Sequence, residues 1–187
     1  MAHGKEHEHG HKHAHGAPEY RFCPKCGGGL EPRLIKSGEP ERLVCSGCSF
    51  IFYLDPKVVA ATVFTIDRRI VLLRRGVEPS LGKWVFPGGY VDRGESVGDA
   101  AIRETKEESC LDVRLDSIVG VYSYAGSPNV IVVYAAHVAG GELAAGDEST
   151  EAKAFDPDEI PWDELAFDST RDALRDYLRL YGKKGMG

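Results

Sequence analysis

Apolar and polar positions change their period several times along this chain, and each change marks an element. Residues 58–66 and 70–74 are apolar runs rich in β-branched side chains, separated by Asp67-Arg68-Arg69. Two such runs around a short polar turn predict a hairpin. Asp55-Pro56 precedes them, and because proline disfavours helix before it and breaks regular pairing, a joint between two parts is expected there. Between Trp84 and Tyr90 the aromatic-flanked Pro87-Gly88-Gly89 predicts a tight turn whose backbone can come close to a ligand. The period then turns helical. Ser96 with Asp99 makes a capping-box-like start, and residues 97–109 are expected as a helix. Strand-like runs return at 116–124, 129–138 and 152–155, with a loop through Gly140-Gly141 and Gly146-Asp147-Glu148 before the last. From about Ser169 to Tyr181, Ala173, Leu174, Tyr177, Leu178 and Tyr181 recur on one face of an amphipathic helix. Strands and helices mix without a clean βαβ repeat, so the class is α+β with a mixed sheet.

Composition narrows the setting. A chain of 187 residues with 42% hydrophobic and 28% charged positions is that of a globular protein with one full domain plus a small module. No apolar run approaches the length of about 18 residues that a membrane span needs, so no membrane partner is expected. Lys and Arg number 23 against 29 Asp and Glu, a formal charge of −6. That balance argues against a nucleic-acid polymer as partner, which requires clustered positive charge, and leaves room for a small anion if a metal supplies the charge locally. His3, His7, His9, His11, His13 and His15 crowd the start, where no apolar h-region suggests a secretory signal. Residues 1–19 are therefore expected to be a tag or a metal-scavenging tail without a fold, and the protein to be cytoplasmic. The remaining histidine, His137, lies in a strand-like run, which argues against a Ser-His-Asp or Cys-His machine.

Cys23-Pro24-Lys25-Cys26 and Cys45-Ser46-Gly47-Cys48 are two CxxC pairs. A two-residue gap lets both thiolates of a pair reach one ion, and the turn formers at Gly27–Gly29 and around Gly38 and Pro40 allow a hairpin that returns the second pair. Four thiolates in tetrahedral geometry describe a structural Zn²⁺ with no open position for catalysis. Two disulfides, or unrelated thiols, are the competing readings, and a reducing cytosol disfavours the first. The module 20–54 is too small to hold a core alone, which gives the metal its purpose. Its cations Lys25, Arg33, Lys36 and Arg42 are offset by Glu31, Glu39 and Glu41, so packing or dimerisation is expected of it rather than RNA binding.

Glu104, Glu107 and Glu108 stand at i, i+3 and i+4 of the expected helix and project from nearly one face. Left unpaired they repel, so divalent cations with hard oxygen ligands are one explanation and a solvated acidic face paired with Arg103 and Lys106 is the other. The wider spacing decides between them. From Gly89 the chain runs five residues to Glu95, seven more to Arg103-Glu104, and on through Thr105-Lys106-Glu107-Glu108-Ser109-Cys110-Leu111. This closely resembles the Nudix box, and six fixed matches arise by chance about once in 10⁷ tries at about 6% usage per residue type. Two positions depart from the pattern: Thr105 replaces an aliphatic residue, and Cys110 replaces the glycine that ends the helix in the left-handed region. The ribbon ahead of the box, the stretch Gly82-Lys83-Trp84-Val85-Phe86-Pro87, and the later Asp158-Glu159-Ile160-Pro161 and Leu165-Ala166-Phe167 look like those of ADP-ribose/FAD pyrophosphatases. A Ser-Gln-Pro-Trp-Pro-Phe-Pro-like motif of the NADH pyrophosphatases does not follow Leu111.

The resemblance implies a Nudix-type α/β/α sandwich over 55–183 that hydrolyses the diphosphate of ADP-ribose or FAD, giving AMP plus ribose 5-phosphate or FMN. By the family pattern Glu104, Glu107 and Glu108, joined by the carbonyl of Gly88, hold Mg²⁺ or Mn²⁺, and Arg103 pairs with Glu95 in a structural role. An acid from the late loop completes the catalytic set, with Glu148 expected and Glu151 in reserve. Arg74 and Arg75 alternate across a strand, so one of them is expected to meet phosphate, while Trp84, Phe86, Tyr122 and Tyr124 are candidates for stacking on the base, with the core as the commoner place for each. The partner is then a small nucleotide, and a homodimer is expected. NADH or another dinucleotide as substrate, a non-hydrolysing nucleotide sensor, and a ribbon-based RNA- or protein-binding protein are the competing functions.

Overall fold

The computed structural model describes residues 20–182; the histidine-rich start, with the tag or tail expected there, lies outside them. The chain divides into two compact units, the second beginning at Pro56.

In the first unit three strands, β1 (Leu30–Arg33), β2 (Arg42–Cys45) and β3 (Ile51–Phe52), form an antiparallel sheet in that order. Leu30 pairs with Cys45 and Leu43 with Phe52, so the register of β2 sets the second cysteine pair beside the first. Each CxxC closes a tight backbone loop: Gly27 N–H donates to the Cys23 carbonyl at 2.9 Å and Ser49 N–H to the Cys45 carbonyl at 3.0 Å. Both donors sit in the left-handed region, at φ 75° and 57°. Apart from the sulfurs, the unit is held by ring packing such as Tyr20 on Phe52 at 4.8 Å.

The second unit contains two four-stranded sheets. The first runs β8 (Gly88–Tyr90), β4 (Lys57–Val63), β10 (Asn129–Gly141), β9 (Leu111–Ser123), and is mixed because β4 and β10 are parallel. In the second, β6 (Arg69–Arg75) pairs with β11 (Ser149–Phe155), β5 (Thr65–Ile66) and β7 (Trp84–Val85). Alternation along β4 makes the layers. Ala60 faces helix α1 (Val97–Ser109) with Ala100 and Ala101, whereas Ala61 and Val63 face the other way, into the core shared with Ala173, Leu174 and Tyr177 of α2 (Asp168–Tyr181). The expected face of α2 is the buried one, with Leu178 and Tyr181 packed at its border.

Several sequence expectations change. The run 58–66 is not one strand: the chain leaves the first sheet at the fully buried Phe64 and enters the second, so the hairpin is formed by β5 and β6 alone. Asp67 and Arg68, at φ 48° and 65°, make its two-residue turn. Pro87-Gly88-Gly89 is not a tight turn either; Gly88–Tyr90 is a strand paired with β4. β9 begins at Leu111, five residues earlier than expected, and Gly140-Gly141 belong to β10 rather than to a loop.

Candidate active site

Helix α1 begins where Ser96 accepts the Asp99 N–H at 3.1 Å and donates its hydroxyl to the Asp99 carboxylate at 2.6 Å. Ala100, Ala101, Thr105 and Ser109 form its buried stripe, which leaves Glu104, Glu107 and Glu108 on the adjacent face. Thr105, where the resemblance expects an aliphatic residue, is satisfied within the core: its hydroxyl donates to the Ala101 carbonyl and meets the Thr62 hydroxyl of β4, both at 2.6 Å.

The two glycines before the helix are required by close approach. A Cβ on Gly89 would stand 2.4 Å from the Glu104 carboxylate, and one on Gly88 would stand 2.4 Å from Ala61 Cβ. β8 thus runs between β4 and the acidic face, and Gly88 N–H donates to Glu108 Oε2 at 2.8 Å.

Arg103 organises the acids. It grips Glu95 with Nε and Nη2, both at 2.9 Å, reaches the Tyr90 carbonyl at 3.1 Å, and donates to Glu104 at 2.7 Å and Glu107 at 3.2 Å. Those bonds hold the Glu95 carboxyl below the usual range and the Arg103 guanidinium charged at any accessible pH. Glu104 and Glu108 shift the other way. Burial pushes Glu104 up against the pull of Arg103, and burial raises Glu108 to about 7 with the charges of Glu104 and Glu148 adding to it.

Glu148 reaches this cluster because of how α1 ends. Cys110 adopts the left-handed conformation at φ 62° without being glycine, and its N–H donates to the Lys106 carbonyl at 3.0 Å. The last helical carbonyls are met by the loop 142–148: Ala144 N–H donates to Ser109 at 3.1 Å and Gly146 N–H to Glu108 at 2.9 Å. A Cβ on Gly146 would fall 2.1 Å from the Glu107 carbonyl oxygen, so only glycine fits there. A turn from Gly146 to Ser149, closed at 3.0 Å, carries the exposed Glu148, whose charge acts on Glu104 and Glu108. Glu151, the reserve acid, instead pairs with Arg74 at 3.6 Å.

The two arginines of β6 separate clearly. Arg74 lies over the Trp84 ring and pairs with Glu151 and Glu164, while the charge of Arg75 acts on Glu108. Trp84 and Phe86, expected to stack on a base, are core residues only 5% and 3% exposed, with Trp84 packed edge-on against Phe155 and covered by Arg74. They offer no free face to a ligand. Tyr122 of β9 and Tyr124 just beyond it bond to α2, donating to Asp176 at 3.0 Å and Asp172 at 2.8 Å. Sequence reasoning missed Gly146, although a lone glycine just before an acid was a readable signal, and it gave Phe167 no role.

The four cysteine sulfurs of the first unit lie within 4.8 Å of one another, with Cys23 and Cys48 at 3.8 Å and Cys26 and Cys45 at 3.5 Å. No disulfide joins them, and a tetrahedral ion with Zn–S near 2.3 Å needs sulfurs about 3.8 Å apart, so the donor set fits zinc. The Cys48 backbone N–H brings the Cys45 thiol down while the neighbouring sulfurs push the Cys26 thiol up, as thiols crowded at one place without a cation do. A Cβ on Gly28 would stand 3.1 Å from the Cys45 sulfur, so the knuckle closes around the sulfurs.

Comparison with known proteins gives matches over both units. The family described as NUDIX domain matches residues 55–177, and the one described as Nudix N-terminal, a zinc ribbon, matches 21–54. An ADP-ribose pyrophosphatase of Methanocaldococcus jannaschii is 39% identical over 134 residues, covering 68% of this chain and 76% of that protein. An NAD-capped RNA hydrolase of Pseudomonas fluorescens is 28% identical over 91% of this chain, which spans 59% of that relative's length. A crystal structure of a NUDIX hydrolase from Nitrosomonas europaea superposes with a TM-score of 0.83 at 30% identity, covering 89% of this chain and 94% of the other.

Proposed function

Because this chain belongs to the Nudix hydrolase family, we propose that it cleaves the diphosphate of ADP-ribose or FAD with water, giving AMP plus ribose 5-phosphate or FMN. The observation that carries the reading is the pair of partly buried acids Glu104 and Glu108 on one helix face, with the charge of the exposed Glu148 acting on both and the exposed Glu107 beside them. Glu104 and Glu108, whose carboxyls are raised by burial first and by neighbouring acids second, are the electrostatic complement of a divalent cation. The name of the 39% identical relative supports the choice of ADP-ribose.

Glu104, Glu107 and Glu108, with the Gly88 carbonyl, would hold Mg²⁺ or Mn²⁺, which when bound neutralises phosphate charge and sharpens a water as nucleophile. Gly88 N–H fixes one oxygen of Glu108 and so its orientation. Arg103, anchored on Glu95, keeps α1 in place against β8. Glu148 is the acid suited to take a proton from the attacking water, since the Gly146 turn brings its charge onto Glu104 and Glu108. Arg75 is suited to meet a phosphate, its charge already acting within the site. The cysteine site takes a structural Zn²⁺, residues 20–54 being the module it holds and 55–183 the catalytic domain. The same reading makes the protein a cytoplasmic homodimer that acts on a small nucleotide rather than a polymer; its net charge of −6 supports the last point.

A relative matched over 91% of this chain bears the name NAD-capped RNA hydrolase, so the test includes that class. Initial rates at one Mg²⁺ concentration are compared for ADP-ribose, FAD, NADH and NAD-capped RNA. ADP-ribose or FAD is expected to give the highest kcat/KM. A tenfold preference for NADH or the capped RNA would move the protein to the second reading.

A further inference from the structure

Among the arginines that border the acid cluster, Arg75 alone has no carboxylate partner among the described residues. Arg74 is committed to Glu151 and Glu164, and Arg103 to three glutamates. Arg75 instead donates Nε to the Pro79 carbonyl at 2.7 Å and lays its guanidinium over the Phe167 ring, 5.3 Å from the centroid. It is nonetheless beside the acids. The next residue, Gly76, donates its N–H to the Glu148 carbonyl at 2.7 Å, and the Arg75 charge acts on Glu108.

Phe167 is itself held firmly. Ala166 donates its N–H to the Trp84 carbonyl at 2.8 Å and accepts the Ser80 hydroxyl at 3.2 Å, Leu165 is buried and bridged to Trp84, and Phe167 caps the start of α2. The ring is only half-buried. A guanidinium is a planar fork of five N–H donors. With Nε on Pro79 and one face on a fixed ring, its plane is set, and its two terminal nitrogens have no acceptor among the described residues.

We propose that Phe167 is a positioning residue for substrate, holding Arg75 in the plane in which its terminal N–H groups clamp a phosphate of the nucleoside diphosphate opposite the glutamates. This rests on the reading of the site as a diphosphate hydrolase. The physical gain is preorganisation: a long, rotamer-rich side chain already ordered by a ring and a carbonyl loses less freedom when the anion arrives. Lysine cannot substitute, because it has neither the fork nor the flat face.

The test compares wild type, Phe167→Leu, Phe167→Tyr, Arg75→Lys and the Phe167→Leu/Arg75→Lys double variant. Calorimetry measures the affinity of each full-length protein for α,β-methylene-ADP with Mg²⁺, and kinetics give KM and kcat for ADP-ribose. Phe167→Leu and Arg75→Lys are each expected to weaken binding and raise KM by about five- to tenfold while kcat changes less than about threefold. Phe167→Tyr keeps the ring and should stay near wild type. The double variant should be about as weak as the worse single one, since both remove one unit. Losses that multiply in the double variant, wild-type affinity in a folded Phe167→Leu protein, or no binding by the wild type would overturn the clamp. If leucine unfolds the protein, Phe167→Met supplies the ring-free variant. A wild type that binds the analogue yet turns over no ADP-ribose would refute the substrate reading separately, with the clamp judged on the affinities.

Discussion

Glu108 has a free-energy cost that the metal-free protein must carry. Burial beside Glu104 and Glu148 raises its carboxyl from 4.5 to about 7. The native state then binds this proton more tightly than the unfolded chain, so the group favours folding below pH 4.5 and loses that contribution as pH rises through 7. At pH 8 the charged form costs up to about 3 kcal/mol. Glu108→Gln keeps the shape without the charge, so the magnesium-free variant, with zinc retained, should melt higher than wild type at pH 8. Its melting temperature should also vary less between pH 4.5 and 8. Thermal melts across that range check it, and a variant that melts lower at pH 8 contradicts the account. The Thr62–Thr105 pair is the second residue-scale test. Thr105→Val leaves the Thr62 hydroxyl buried without its side-chain partner, which should cost about 1–3 kcal/mol in denaturant unfolding. Adding Thr62→Val should recover part of that loss, a coupling that two independent sites would not give.

At the scale of elements, the loop 142–148 does for the site what the box cannot do alone. It satisfies the carbonyls at the end of α1 and carries the exposed Glu148, whose charge acts on Glu104 and Glu108, and Gly146 is the point of contact. Gly146→Ala must push the loop off the Glu107 carbonyl, so kcat for ADP-ribose should fall by about tenfold or more while the circular dichroism spectrum is kept. Unchanged turnover would show that Glu148 is not needed where it lies. Helix α1 was fully legible because its start, stripe and acids are all local signals. The break at Phe64 was not, since the residues on either side are equally apolar and only the pairing of β4 with β10 and of β5 with β6 separates them. Gly88-Gly89 predicted a tight turn close to a ligand, whereas the two glycines lie in a strand and admit the chain's own Glu104 and Ala61. Trp84 and Phe86 could be either core or platform in the sequence for a related reason, because an aromatic residue that lines a core and one that lines a cleft have the same sequence signature.

At the scale of the molecule, the chain joins a small unit with a four-cysteine cluster to a Nudix unit, and the two differ in how much core they have. The second unit has a core built from both sheets and α2, whereas the first relies on four sulfurs and a few rings. Cys45→Ser should therefore lower bound zinc well below one per chain and remove hydrogen-exchange protection from residues 20–54, while the Mg²⁺ concentration for half-maximal rate shifts less than about twofold. Full zinc retention, or a large shift in Mg²⁺ dependence, would contradict that division of labour. The central claim is that the acid cluster on α1 drives hydrolysis of a nucleoside diphosphate. Its most direct test is the rate of AMP release from ADP-ribose at saturating Mg²⁺ and pH 8, for wild type and for Glu108→Gln shown to be folded. The account predicts AMP and ribose 5-phosphate in equal amounts from the wild type, and a rate lower by more than about a hundredfold in the variant. Near-normal release by Glu108→Gln, or no AMP from the wild type, would contradict it.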